Sequence, residues 1–138
     1  MSYRHLEHST DAVIEVTAPN LQNAFEIAGK SVVETILDSS KIDEKSKKTV
    51  RVSGKDLRYL LYNWLEEIVI LTITDGFAAK KISVKIDKND VYRIHAVLFG
   101  EEIDIKKHEF KIEVKSPTFH EMCIEQGNQI TLRYLLDL

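Results

Sequence analysis

The last nine residues constrain this chain most. Ile130, Leu132, Tyr134 and Leu136 alternate with Thr131, Arg133, Leu135 and Asp137 up to Leu138. A period of two marks a strand with one apolar face. A strand running to the last residue needs a neighbour, because terminal residues otherwise fray. Near the other end, the polar run His5 to Ala12 leads into Val13-Ile14-Glu15-Val16, so Asp11 to Thr17 reads as a second strand. Asp11 opens that strand, and Asp137 stands one residue before Leu138. If the two strands are neighbours, Asp11, Asp137 and the terminal carboxylate of Leu138 meet. Converging carboxylates repel unless a cation joins them. Oxygen-only donors suit a hard divalent ion such as Ca²⁺ or Mg²⁺. The plainer alternative is an edge strand with a solvated acidic tip.

Between the two ends, helices come first and strands follow. Asn20 is a good helix N-cap after Ala18-Pro19. Leu21, Ala24, Phe25, Ala28, Val32 and Ile36 recur at spacings of three and four, which predicts an amphipathic helix over roughly 21–38. Residues 39–48 are polar and charged, and read as a solvated loop. Thr49 to Val52 is a short strand. Ser53-Gly54-Lys55-Asp56 fits a capping box. A second helix is expected to follow, with Leu57, Leu61, Trp64, Ile68 and Leu71 on its stripe and an end near Asp75-Gly76. Glu66 and Glu67 belong to its solvated face.

Alternation then marks strands at Ile82–Ile86 and Val91–Phe99, joined by the turn Asp87–Asp90. After a loop at Gly100–Asp104, Phe110, Ile112 and Val114 alternate as another strand, which Ser116-Pro117 breaks. His120 to Gln126 is a further strand, and Gly127-Asn128 a tight turn before the last one. The order is βαβα followed by about five strands. It predicts one α+β domain over residues 1–138, with two amphipathic helices packed on a mainly antiparallel, multi-stranded sheet. No repeat or interdomain linker interrupts it.

Composition narrows the function classes. The net charge of −3 argues against a broad electrostatic grip on nucleic acid, but leaves room for a local basic patch. Lys106-Lys107-His108, with Lys111 and Lys115, is a modest outward-facing basic region suited to an acidic partner or a phosphate. Lys115, just before the Ser-Pro break, belongs at the rim of a sheet.

The single cysteine, Cys123, cannot form an internal disulfide, and no disulfide-linked partner is expected. Its neighbours Met122 and Ile124 suggest a buried, inert thiol. The start does not resemble a signal peptide, and the longest apolar run, Ile68 to Ile73, is too short to cross a bilayer. A cytoplasmic location with no membrane partner is the default expectation. His5, His8, His95, His108 and His120 match no zinc pattern such as H-E-x-x-H, so hydrogen-bonding or supporting roles suit them better. Ser53-Gly54-Lys55 lacks the upstream glycine of a phosphate loop, and no nucleophile elbow is present.

Four segments together resemble the archease family. They are His8-Ser9-Thr10-Asp11-Ala12, Trp64-Leu65-Glu66-Glu67-Ile68, His108…Lys115-Ser116-Pro117-Thr118-Phe119-His120, and the terminal Leu136-Asp137-Leu138. They fall in the family's order and spacing over essentially the whole chain. The resemblance implies a non-catalytic activator of an RtcB-type RNA ligase, a partner that uses GTP and Mn²⁺ to join RNA ends in tRNA splicing and repair. Such an activator promotes guanylylation of the ligase and repeated turnover, and meets tRNA indirectly through the ligase. The resemblance also implies a divalent-cation site at Asp11, Asp137 and Leu138, Ca²⁺ being the first expectation and Mg²⁺ or Mn²⁺ the others. It gives a functional role to Lys115 and supporting roles to His8 and His120.

Glu66 departs from the family's asparagine, and Ser116-Pro117 and Phe119 depart from its alanine-valine and tyrosine. Proline removes an N–H donor, so strand pairing there is expected to differ. Two competing readings use the same residues. One is a small metal-dependent phosphoesterase or hydrolase, with His8 or His120 as its base. The other is a chaperone-like interaction module whose acidic rim is only surface.

Overall fold

Two helices form a middle layer with an antiparallel sheet on each side. The computed structural model describes residues 2–6 and 11–138. One sheet has four strands, β1 (Ser2–Leu6), β2 (Asp11–Ala18), β7 (Ile130–Asp137) and β6 (Ser116–Gln126), in the order β1-β2-β7-β6. The other has three, β3 (Ser46–Gly54), β5 (Tyr92–Glu102) and β4 (Phe77–Lys88), in the order β3-β5-β4.

Helix α1 (Leu21–Ile36) packs on β2 and β7 on one side and on β4 on the other. Helix α2 (Leu57–Val69) lies between β3 and β6 in the same way. That is why α1 buries Gly29 and Val33 as well as the expected stripe of Ala24, Phe25, Ala28, Val32 and Ile36. A helix covered on two sides needs more than one apolar stripe. The expected α+β architecture is present, with its strands divided between two sheets.

Trp64 ties the helices together. Its indole N–H donates to the Phe25 carbonyl at 2.8 Å, deep in the core. Its ring lies against Gly29, where a Cβ would come within 2.9 Å of it. Ser31 and Tyr134, both fully buried, share a hydrogen bond that links α1 to β7.

Several local expectations change. Ser2–Leu6 forms an edge strand in register with β2, although its mixed polar sequence carried no clear alternation. β3 begins at Ser46, inside the segment expected as loop, because its outward row of Lys47, Thr49, Arg51 and Ser53 is entirely polar. The cap of α2 is Asp56, whose carboxylate accepts from the Tyr59 N–H, while Ser53 stays in β3 opposite Arg93. The second helix continues as a π-helical turn over Ile70–Thr74, and Gly76 takes up a φ of 68° just beyond it.

Residues 110–115 form no strand. A short helix, α3 (Ile105–His108), precedes them and Glu109 turns the chain with a φ of 53°. Phe110 and Ile112 remain 45% and 41% exposed, so their alternation has no sheet to serve. Pro117 lies inside β6, opposite Leu136, which an edge strand tolerates. Cys123 is exposed rather than buried, because the alternation of β6 turns Met122 inward instead.

Lys106, Lys111 and Lys115 are exposed as expected of an outward basic region, but its other two members, Lys107 and His108, belong to an internal clamp. His108 is fully buried, and Glu101 is 7% exposed. The Glu101 carboxylate accepts from Lys107 Nζ at 2.8 Å, from the Asp43 N–H at 2.7 Å and from His108 Nε2 at 3.0 Å. His108 Nδ1 accepts from the Asp104 N–H at 2.9 Å, which places the ring proton on Nε2. The Lys107 ammonium, then the Asp43 N–H and His108, hold the Glu101 carboxyl down at about 2, against an ordinary 4.5. A depressed carboxylate stabilises the fold fully above its unfolded value and loses that contribution as pH falls. Unfolding by urea at a series of pH values is expected to show stability declining between about pH 4.5 and 2. Glu101→Gln should flatten that part of the wild-type profile.

Candidate functional site

The β2–β7 ladder decides what stands at its end. Its register runs from Ala18 opposite Ile130 to Asp11 opposite Asp137 without interruption. Alternate residues turn inward, so Ala12, Ile14, Val16, Ala18, Leu132, Tyr134 and Leu136 join the core. Asp11, Val13 and Glu15 therefore share the outer face with Arg133, Leu135 and Asp137. Ser116 of β6 also pairs with Asp137, which makes Asp11, Asp137 and Ser116 one row across three strands.

Two charge patterns occupy this face. In one row Glu15 stands between Arg4 and Arg133, at 2.9 and 2.7 Å. The Arg133 hydrogen bond, then that of Arg4, holds the Glu15 carboxyl below its ordinary value. Two rows along, Asp137 stands opposite Asp11 in the register. Cβ atoms directly opposite in an antiparallel pair lie about 4.5–5.5 Å apart, and like charges so placed destabilise the pair. Asp11 is half-buried, Asp137 exposed, and Leu138 half-buried against the core.

One end of the described β2–β7 pair thus sets Asp11 opposite Asp137, with Leu138 adjoining. Lys115 joins them through the backbone, its N–H donating to the Asp137 carbonyl at 2.8 Å. Its side chain is exposed. His8 lies outside the described residues. His120 is exposed and sits where the β6–β7 register breaks, between Thr118 and Cys123. Its backbone N–H donates to Thr118 Oγ1 at 2.9 Å. At about 3.3 Å per residue it lies some four residues along the strand from the Asp137 row.

Ser116 is a member of the row that the sequence did not reveal, because Ser-Pro reads as a break. Phe119 belongs to a neighbouring aromatic cluster. It stacks on Tyr62 at 4.4 Å and meets Tyr59 at 5.0 Å. Only the 3.6-residue spacing of Arg58, Tyr59 and Tyr62 on α2 hinted at such a patch.

Among the described residues, no group of three or more His, Cys, Asp or Glu side chains is gathered as a metal ion requires. The row itself holds two side-chain carboxylates, those of Asp11 and Asp137, which are hard oxygen groups of the type that Ca²⁺ accepts.

Comparison with known proteins places the molecule. The model of the Archease protein family (MTH1598/TM1083) matches residues 3–138. The chain belongs to the archease family. Protein archease of Pyrococcus abyssi is 37% identical over 125 residues, covering 90% of this chain and 88% of that protein. Protein archease of Pyrobaculum islandicum is 36% identical over 141 residues, covering 100% and 96%. The solution structure of Methanobacterium thermoautotrophicum protein 1598 superposes with a TM-score of 0.84 at 30% identity, covering 99% of each chain. The crystal structure of a Thermotoga maritima archease, described as a possible chaperone, shares the fold at 18% identity. Its TM-score is 0.64, over 98% and 96% of the two chains.

Neither acidic side chain of the row belongs to the hydrophobic core of this archease-family fold. Asp11→Asn and Asp137→Asn should therefore each leave the circular-dichroism spectrum unchanged. Each should move the melting temperature by less than about 4 °C.

Proposed function

We propose that the chain is a non-catalytic activator of a GTP- and Mn²⁺-dependent RtcB-type RNA ligase. In this reading it promotes ligase guanylylation and repeated turnover in tRNA splicing and RNA repair, and meets tRNA through the ligase. Family membership supports the reading, and one geometric observation carries it, namely Asp11 in register with Asp137 beside Lys115.

Asp11, Asp137 and the α-carboxylate of Leu138 would hold a divalent cation, Ca²⁺ first and Mg²⁺ or Mn²⁺ next. Bound there, the ion would supply the positive charge that lets three carboxylates share one place. The Lys115 ammonium, presented from the adjoining backbone, would pair with a phosphate or a ligase carboxylate. GTP belongs to the partner, in keeping with the lack of a glycine-rich phosphate loop in the sequence. The hydrolase reading needs a general base, and the described candidate, His120, is not set opposite the acidic row.

Guanylylation of the ligase with labelled GTP tests the reading. Asp11→Ala, Asp137→Ala and Lys115→Ala should each slow guanylylation at least about tenfold, a loss of roughly 1.4 kcal/mol in the rate-limiting barrier. Wild-type rates in all three would remove the proposal. Turnover of a phosphoester by the isolated protein with Mn²⁺, lost in Asp11→Ala, would install the hydrolase in its place.

Cation binding has its own measurement. Ca²⁺ at a hundredfold excess over its dissociation constant stabilises a protein by about 2.7 kcal/mol. Calcium should raise the melting temperature of the wild type and leave an Asp11→Asn/Asp137→Asn double variant unmoved.

A further inference from the structure

The outer face of the three-stranded sheet carries a pattern that the acidic end does not explain. Both helices lie on its inner side, where Val50, Ile82, Val84, Ile94, Ala96 and Leu98 are buried. The outward residues stand in rows fixed by the β3–β5–β4 register. Lys47, Phe99 and Lys81 make one row, and Thr49, Val97 and Ser83 the next. Arg51, His95 and Lys85 make a third. The four cations are exposed, as is His95, while Phe99 is half-buried.

Four cations thus stand at the corners of a rectangle. Its long side is four residues of strand, about 13 Å, and its short side two strand spacings, about 10 Å. The rings of Phe99 and His95 lie between the corners, with Lys81 Nζ 5.9 Å from the Phe99 ring centre. Among the described residues, none of Lys47, Arg51, Lys81 and Lys85 is paired with a carboxylate. Two acids flank the rectangle: Asp87, opposite Arg93 in the next row, and Glu44, which lines a hollow with Lys47 and Phe99.

The surface is also concave on both sides of β5. Arg51, Ser53, Arg93 and His95 line a hollow of about 270 Å³. Thr49, Ser83, Lys85, Asp87 and His95 line another of about 330 Å³. An overall charge of −3 conceals this face, where the four cations outnumber the two acids at its margin, Glu44 and Asp87.

We propose that this sheet face binds single-stranded RNA. Lys47, Arg51, Lys81 and Lys85 neutralise successive phosphates, and unpaired bases stack on Phe99 and His95. Cations around central rings are the arrangement that sequence-tolerant single-strand binding uses. A duplex hides its base faces from such rings. An acidic protein surface would engage the corners and leave the rings without a partner. The face is separate from the Asp11–Asp137 row, so the proposal stands or falls independently of the ligase reading.

Fluorescence anisotropy with a labelled oligouridylate of ~12 nucleotides tests it. For four phosphates on a single strand, the logarithm of affinity should fall against the logarithm of salt with a slope of about −3. Lys81→Ala/Lys85→Ala should weaken binding at least about tenfold near 50 mM salt and cut the slope by about half. Phe99→Leu, which keeps an apolar side chain for the fold, should weaken binding about tenfold with the slope unchanged. Lys106→Ala/Lys111→Ala, the same charge loss elsewhere, should bind like the wild type. Absence of binding near 50 mM salt, or wild-type affinity in Lys81→Ala/Lys85→Ala, overturns the proposal. So does polyglutamate competing as well as the oligonucleotide while Phe99→Leu binds normally, which would assign the face to an acidic protein partner.

Discussion

The antiparallel pairing of β2 with β7 is the interaction on which the rest of the molecule depends. It joins positions as far apart in sequence as Glu15 and Arg133, which are 118 residues distant. Closing so long a loop costs conformational entropy, though the cost grows only slowly with length. The inner rows offset it by burying Ile14, Val16, Leu132, Tyr134 and Leu136 against α1. β1 and β6 then add to the two sides of this pair. The same ladder fixes the acidic row. A slip of one residue would turn Asp11 and Glu15 into the core and Ile14 and Val16 out. Core packing and site geometry are therefore one constraint, and the position of Asp11 opposite Asp137 is as firmly specified as the burial of Tyr134.

The middle layer explains why small residues stand among the large ones of the core. Helices covered on both sides cannot be bulky everywhere. Ala24, Ala28 and Gly29 let α1 approach its neighbours, and Trp64 fills the space that Gly29 leaves. A polar pair at the Ser31–Tyr134 contact is acceptable there because the hydroxyls satisfy each other and the Ala28 carbonyl. Burial without a charged partner pushes the Tyr134 phenol well above its ordinary value, so it stays neutral.

Where the sequence was readable, a period and a cap agreed. Asn20 and the stripe from Leu21 to Ile36 mark α1 as it is, and alternation marks β2, β4, β5 and β7. Alternation set Asp11 and Asp137 at the ends of two strands, but their meeting depended on those strands being neighbours, which only the β2–β7 register shows. The misreadings share a different cause. In β3 the first residues are all solvated, so Ser46, Lys47 and Lys48 look like loop until their neighbours in β5 are known. Residues 110–115 show the reverse, an alternating pattern with no neighbouring strand to pair with. Lys107 and His108 looked like surface charge because their partners, Glu101 and Asp43, come from other parts of the chain. Periodicity reports what a residue faces in its own element. It carries nothing about which long-range partner turns a charge inward.

Segregation of charge follows from the same architecture. A carboxylate row and a phosphate-binding face cannot share a patch, because each would repel the other's ligand or neutralise its cations. In this fold they sit on different sheets, with a helix layer about 10 Å thick between them. The two outer faces lie further apart than a Debye length, so the salt around the molecule largely screens each field from the other. An acidic contact made at the end of β2 and β7 would then leave the basic face of β3, β5 and β4 free for a polyanion. A small domain of net charge −3 can carry both, because its two sheets present their outer faces to different surroundings.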